Sequence, residues 1–295
     1  MMKVERDATS LRARLGDPAI LVAPGIYDPL SGLLAEQAGF ECAYVSGASI
    51  AYTRHGRSDI GLVGMTEVAE TIGLIRDRIS LHLVVDGDTG YGNAMNVQRT
   101  VRLFERSGAN AIQLEDQTFP KRCGHLKDKT VIPANEMVGK LKAAVDARGS
   151  NEFLIIARTD AAAVEGLESA IERAAAYADA GADVLFVEAP RSREELRQVH
   201  TALGSLGLPL MANMVEGGKT PVLSGAQLSE LGFSLVIFPG GAVRAIAHTA
   251  QRYYASLAEH GTTAPFASEM FDFDGLNAVI GTPEILELSA RYEGS

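Results

Sequence analysis

The feature that most narrows the fold is a unit that recurs along the chain: a glycine, a short apolar run, and a polar or turn residue seven positions after the glycine. Gly39 leads through CAYV to Ser46, Gly108 through AIQL to Glu115, Gly181 through VLFV to Glu188, and Gly232 through LVIF to Pro239. Each glycine closes a stretch of helical periodicity, so the unit reads as helix, glycine cap, strand and functional tip. Four more apolar runs lie between these, ILVAP (20–24), LHLVV (81–85), FLIIA (153–157) and LPLMA (208–212), which makes eight. Runs continuous in Val, Ile and Leu suit strands covered on both faces of a parallel sheet. Helical periodicity fills the intervals 28–38, 66–78, 96–107, 134–147, 166–180, 192–203, 224–231 and 241–260. Eight strand–helix pairs in roughly 250 residues predict an α/β fold of the (β/α)8 barrel type. A doubly wound open sheet would alternate in the same way. It requires a glycine-rich phosphate turn after the first strand, and APGIYDPLSG is not one.

The barrel locates the chemistry, because active sites of this fold lie at the C-terminal ends of the strands. Those ends carry Tyr44, Ser46 and Gly47, then Asp86 and Asp88, Glu115, Arg158 and Asp160, Glu188, and Asn213 with Glu216. Asp86-Gly87-Asp88 with Glu115 on the next tip offers hard oxygen donors of the kind Mg²⁺ or Mn²⁺ prefers; the structural alternative is an Asx turn capping the following helix. Zinc is not expected, since His and Cys nowhere adopt ligand spacing. Arg158 suits bidentate capture of a carboxylate or phosphate, or a structural ion pair with Glu188 or Glu115. Ser46-Gly47-Ala48-Ser49 offers hydroxyls and unhindered amides, and Tyr44 is either a core aromatic or an acid–base group. Asp59, in a glycine-spaced loop, either reaches the metal through water or caps a turn. After Glu115 comes the densest group of ionisable residues, EDQTFPKRCGHLKDK (115–129). Lys121, Arg122 and His125 around Cys123 would favour its thiolate, as a nucleophilic or proton-transferring thiol needs.

A formal charge of −10 argues against nucleic acid and against an anionic membrane surface as partners, and leaves small molecules. Cys42 and Cys123 form neither a disulfide framework nor a metal spacing, no apolar run approaches the ~18 residues of a membrane span, and the charged N-terminus lacks a signal-like core. A soluble protein of the reducing cytoplasm is expected.

The motifs KRCGH, DGDTGYGN, LEDQ, ARTDA, VEA and ANMVEGGKTP resemble those of the isocitrate lyase and phosphoenolpyruvate mutase superfamily, over roughly residues 10 to 260. The likeness is to its short members, the methylisocitrate and dimethylmalate lyases, oxaloacetate hydrolase and carboxyphosphonoenolpyruvate phosphonomutase. The resemblance implies Mg²⁺ on Asp86 and Asp88, with Asp59 and Glu115 acting through water. It implies a lid, about Glu115 to Val131, that carries Lys121, Cys123 and His125 over the substrate. Ser46, Gly47, Ala48, Gly124, Arg158, Glu188 and Asn213 would hold the substrate's carboxylates and carbonyl oxygen. It further implies a catalytic barrel over 1–260 and a helical tail over 261–295 exchanged between the subunits of a homotetramer.

The implied reaction is cleavage of a 2-hydroxy di- or tricarboxylic acid into a 2-oxo acid and a second carboxylic acid. Arg158, Lys121 and His125 would stabilise the developing negative charge, Cys123 would protonate the carbanion, and Tyr44 or a metal-bound water would take the hydroxyl proton. The same motifs serve phosphonomutases, so phosphorus–carbon chemistry and oxaloacetate hydrolysis are the alternatives, with a silent dicarboxylate-binding barrel as the non-enzymatic one. Gly240 and Gly241 follow Pro239 where methylisocitrate lyases carry a bulky leucine, which alters the pocket for the alkyl group.

Overall fold

A computed structural model of the chain describes residues 9–122, 124 and 128–293. Among these, eight parallel strands close into a barrel in chain order. They are β1 (Leu21–Ile26), β2 (Cys42–Val45), β3 (His82–Asp86), β4 (Ala111–Glu115), β5 (Leu154–Thr159), β6 (Val184–Val187), β7 (Leu210–Asn213) and β8 (Leu235–Phe238). A short α1 (Leu11–Leu15) precedes them. Between them lie α2 (Pro29–Gln37), α3 (Gly47–Ile50), α4 (Met65–Arg78), α5 (Ala94–Arg106), α6 (Ala134–Ala147), α7 (Leu167–Asp179), α8 (Arg193–Leu203) and α9 (Gly225–Glu230). The (β/α)8 expectation is met, with element ends displaced by a residue or two.

The recurring glycines do what the sequence asks of them. Gly39, Gly108, Gly181 and Gly232 each stand two residues past the end of a helix, at φ of 88°, 102°, 97° and 86°. That left-handed turn lets the next amide reach back to the final turn, as Ala109 N does to Phe104 O at 3.1 Å and Phe233 N to Leu228 O at 3.1 Å. The helix stops and the chain re-enters the barrel three residues later.

Side-chain alternation then divides each strand between two layers. Inward positions form one apolar cluster that includes Ala23, Cys42, Val84, Ala111, Ile156, Phe186, Met211 and Leu235. Cys42 is packing, as its apolar run implied. Leu11 and Leu15 of α1 belong to the same cluster and close the floor of the barrel. Ser10 caps α1, accepting from Ala13 N at 3.3 Å, and Arg12 ties it to Asp183 at 2.7 Å. Continuing the inward parity toward the C-terminal ends brings Tyr44, Asp86, Glu115, Arg158, Glu188 and Asn213 to the mouth. The pairings Asp86↔Gln113 and Glu115↔Arg158 set their relative heights.

The chain forms two compact units, 9–242 and 243–293 among the described residues. In the second, α10 (Gly241–His260) continues from the barrel unit and is followed by α11 (Phe273–Ile280) and α12 (Thr282–Ala290). Tyr253 and Arg252 pack on the buried Phe266, whereas α11 and α12 bury no residue. No helix among the described residues is long and apolar enough to cross a membrane.

Candidate active site

The mouth of the barrel holds a hollow of about 50 Å³ lined by Tyr44, Ser46, Ala48, Asp59, Asp86, Glu115, Lys121, Gly124, Arg158, Glu188 and Asn213, with Arg122, Val215, Ile237 and Pro239. Nearly every residue proposed from strand-end position and motif meets here. Gly47 and Asp88 stand beside the hollow: a β-carbon on Gly47 would lie 3.1 Å from Asp86 Oδ2, so the glycine lets α3 approach that carboxylate. Cys123 and His125 lie outside the described residues. Ser46 caps α3, its hydroxyl accepting from Ser49 N at 3.2 Å, and Ser49 donates to Pro239 O at 3.1 Å, which ties β2 to β8.

Arg158 is the hub. Its Nε lies 2.8 Å from Asp160 Oδ2 and 3.3 Å from Glu115 Oε2, its Nη2 is 4.0 Å from Glu188 Oε1, and the guanidinium sits over Phe186, 5.3 Å from the ring centre. Both structural partners foreseen for it are present, and Asp160 binds it more closely than either. Burial works against the guanidinium charge, but Asp160, Glu115 and Glu188 outweigh it and hold the proton firmly. Burial likewise opposes the Asp160 carboxylate, yet Arg158 and Lys129 bring its pKa down to about 2. Glu188 also accepts from Asn213 Nδ2 at 3.3 and 3.2 Å.

A second focus is the acidic cluster around Lys121. Its ammonium lies 2.5 Å from Asp59 Oδ1 and 2.6 Å from Asp88 Oδ1, and all three side chains are at least nine-tenths buried. Asp88, at φ 47°, folds back so that its amide donates to Asp86 Oδ1 at 3.2 Å. Burial, joined by repulsion from Asp86 and Asp59, lifts the Asp88 carboxyl to about 7 despite Lys121. Burial also raises Glu115 well above its ordinary value, and its Oε1 has no hydrogen-bond partner among the described residues. Among the described residues of the mouth, Asp59, Asp86, Asp88, Glu115, Asp160 and Glu188 outnumber the buried cations Lys121, Lys129 and Arg158. A hard divalent cation fits this excess of buried oxygen donors. Among the described residues no three acidic, His or Cys side chains converge in ligating geometry, so direct protein ligands would be few, as in the expected pair Asp86 and Asp88 completed by water.

Two features were not foreseen. Gln113, fully buried in the barrel, accepts from Tyr44 OH at 3.0 Å and approaches Asp86 Oδ1 at 3.4 Å. Burial, then Asp86, holds the Tyr44 phenol protonated, so it stands as a donor to Gln113. Asp116 points the opposite way from Glu115, into the helix layer. There it accepts from Asp160 N (2.9 Å), Thr159 Oγ1 (2.8 Å) and Tyr177 OH (2.8 Å). Arg173 joins it at 3.4 Å and donates to Ile132 O at 2.9 Å, so the 116–132 segment is fixed at one end to the β5 tip and at the other to α7. The segment is paired at its base, Gln117 against Val131 and Ile132 N to Asp116 O at 2.8 Å.

A family model described as phosphoenolpyruvate phosphomutase matches residues 11–258 of the chain. The chain is 38% identical to 2,3-dimethylmalate lyase of Eubacterium barkeri over 97% of its own length and 98% of that protein. The chain belongs to the phosphoenolpyruvate mutase/isocitrate lyase superfamily. It is therefore an enzyme homologue of lyases, a mutase and hydrolases on one barrel. It is 44% identical to the 2-methylisocitrate lyase of Aeropyrum pernix, covering 91% of the chain and 85% of that protein. Among solved structures, oxaloacetate acetylhydrolase with the inhibitor 3,3-difluorooxalacetate superposes with a TM-score of 0.91 at 32% identity, covering 98% and 97% of the two chains. A phosphonopyruvate hydrolase bound to oxalate and Mg²⁺ does so at 0.85 and 29%, covering 96% and 98%.

Proposed function

We propose that this protein is a Mg²⁺-dependent carbon–carbon lyase that cleaves a 2-hydroxy di- or tricarboxylic acid of alkylmalate or methylisocitrate type. The observation that carries the reading is the mouth itself, where Arg158, Glu188 and Asn213 face the acidic Asp86–Asp88 tip across a small hollow bounded by Lys121 and Gly124. The likeness to the two lyases supports the reaction type.

Asp86 and Asp88 would hold the metal, and Asp59 and Glu115 would support it through water. When bound, the metal would polarise the substrate's 2-hydroxy carboxylate and ease loss of the hydroxyl proton. As that proton passes to a water held by Asp59 and Glu115, the oxygen electron pair would form the carbonyl at C2. The C2–C3 bond then breaks with its electrons on C3, next to a carboxylate. Arg158 would bind the carboxylate that takes up this charge, in a dry site where a fixed guanidinium counts for more than in water. Lys121 would add a second positive charge, and Asn213 and the amides of Gly47 and Ala48 would position the carbonyl end with Ser46. Tyr44 acts as a fixed hydrogen-bond donor that, through Gln113, orients the Asp86 side. Cys123 would deliver the proton that completes the second acid, and His125 would help stabilise the developing negative charge. Cys123→Ser should abolish turnover in a screen of 2-hydroxy di- and tricarboxylates for pyruvate and glyoxylate, yet keep Mg²⁺-dependent oxalate binding. A fully active variant would refute the role.

The likeness to oxaloacetate acetylhydrolase favours a second reading, release of oxalate from oxaloacetate, which is tested by incubating the protein with oxaloacetate and detecting oxalate. The exposed Phe271, Phe273, Ile285 and Leu286 of the tail support a homotetramer in which the segment beyond 260 packs on a neighbouring subunit. The reading places the enzyme in the cytoplasm. Removing residues 261–295 should lower the mass in light scattering from tetramer to a smaller species.

A further inference from the structure

Lys129 carries no role in the chemistry derived above, yet it is one of the most deeply buried cations of the barrel. Its side chain is 2% exposed and its Nζ lies 2.6 Å from the fully buried Asp160 Oδ1. The same Nζ donates to Gly124 O at 2.5 Å. Asp160 uses its two oxygens on Arg158, at 2.8 and 3.1 Å, while accepting from Lys129. Gly124 in turn rests so near Glu188 Oε1 and Arg158 Nη2 that a β-carbon could not fit. A lysine from the far leg of the 116–132 segment therefore reaches the β5 tip and draws the near leg down onto the substrate-binding side chains.

We propose that Lys129 is a positioning residue of the active site: by sharing its ammonium between Asp160 and the Gly124 carbonyl, it fixes where Gly124 and Arg158 stand relative to the substrate. The inference rests on the functional reading above. Asp160 without Lys129 would have Arg158 as its one cationic partner among the described residues, and the guanidinium would be held more tightly to Asp160 and less available to a substrate carboxylate. Gly124 would lose the donor to its carbonyl, and the near leg would keep the clamp of Gln117, which accepts from Arg122 N at 3.0 Å and donates to Arg122 O at 2.8 Å. A merely structural ion pair would hold the barrel together. A positioning one leaves the barrel intact and displaces only the segment, and a displacement near 1 Å costs on the order of 100-fold in rate.

The test uses the full-length protein with Lys129→Met and with the double variant Lys129→Met/Asp160→Asn, which also removes the charge that Lys129 helps to balance should the single variant fail to fold. Amide hydrogen exchange by mass spectrometry is expected to speed up at least tenfold in peptides covering 117–131 and to stay within twofold in β4 and β6. With the best hydroxy acid, kcat should fall on the order of 100-fold while KM changes less than threefold. Unchanged exchange in 117–131, equal loosening of β4 and β6, or a loss confined to KM each overturn the proposal. Absence of turnover by the wild-type protein on any hydroxy acid would refute the lyase reading and leave the exchange result to decide the role of Lys129.

Discussion

Arg158→Gln is the most informative perturbation because one side chain serves both stability and chemistry. In the native mouth the guanidinium donates to both oxygens of Asp160, at 2.8 and 3.1 Å, pairs with Glu115 at 3.3 Å, and covers the Phe186 ring. Glutamine removes the positive charge and keeps much of the stem. Asp160 retains Lys129, so it is not orphaned, whereas Glu115 loses the cation that offsets its burial. Hydrogen bonds to charged groups contribute about 1.5–3 kcal/mol each, and breaking a buried ion pair costs about 3–5 kcal/mol. Glu115 can relieve part of this by taking up a proton, so a loss of about 3 kcal/mol is expected at neutral pH. The measurement is the urea midpoint followed by circular dichroism, with oxalate binding recorded on the same samples. Arg158→Gln/Asp160→Asn should recover part of the stability and none of the binding. A single variant destabilised by less than about 1 kcal/mol, or one that binds oxalate as the wild type does, would refute the account of Arg158 as the charge that balances this mouth.

Four further outcomes are expected. Tyr177→Phe deletes the 2.8 Å hydrogen bond to the buried Asp116 and should cost about 1.5–3 kcal/mol in chemical denaturation. Asp160, held at about 2 against an ordinary 3.8, contributes stability that is complete above pH 4 and lost as pH falls through 2; acid unfolding of Asp160→Asn should lack that component, worth about 2 kcal/mol. Mg²⁺ should raise the melting temperature, by the equivalent of about 2.7 kcal/mol at a hundredfold excess over its Kd, and Asp86→Asn should remove the effect while EDTA reverses it in the wild type. Leu11→Ala should cost about 2–5 kcal/mol in urea with kcat unchanged, since that side chain packs at the opposite end of the barrel from the hollow.

The strands were legible because a strand buried on both faces needs an uninterrupted apolar run, and the helix ends because a left-handed turn favours glycine. The mouth was legible because ionisable groups at the ends of such runs have few neutral explanations. α1 was missed: LRARL offers two leucines and no repeat, and only the closed barrel gives those leucines a place to go. Gln113 was passed over as one letter of an apolar run, although a fully buried amide needs partners and so calls for a polar neighbour. The Asp116 network escaped for another reason, since Tyr177 and Arg173 lie on α7, far along the chain. Strand alternation alone shows that Glu115 and Asp116 cannot share a destination, and that signal was available. Lys129 looked like one more charge in a polar loop, because depth of burial is not written in local composition.

The leucine stopper beneath the barrel has a kinetic corollary. With Leu11 and Leu15 packed into the floor, the described residues leave the mouth as the way into the hollow, and under the proposed reaction that mouth would have to exclude water while a carbanion exists. If the proposed cleavage is the reaction, its two fragments would have to leave in turn. Whichever one were anchored deeper would be the last to depart, and the pattern of product inhibition would report that order.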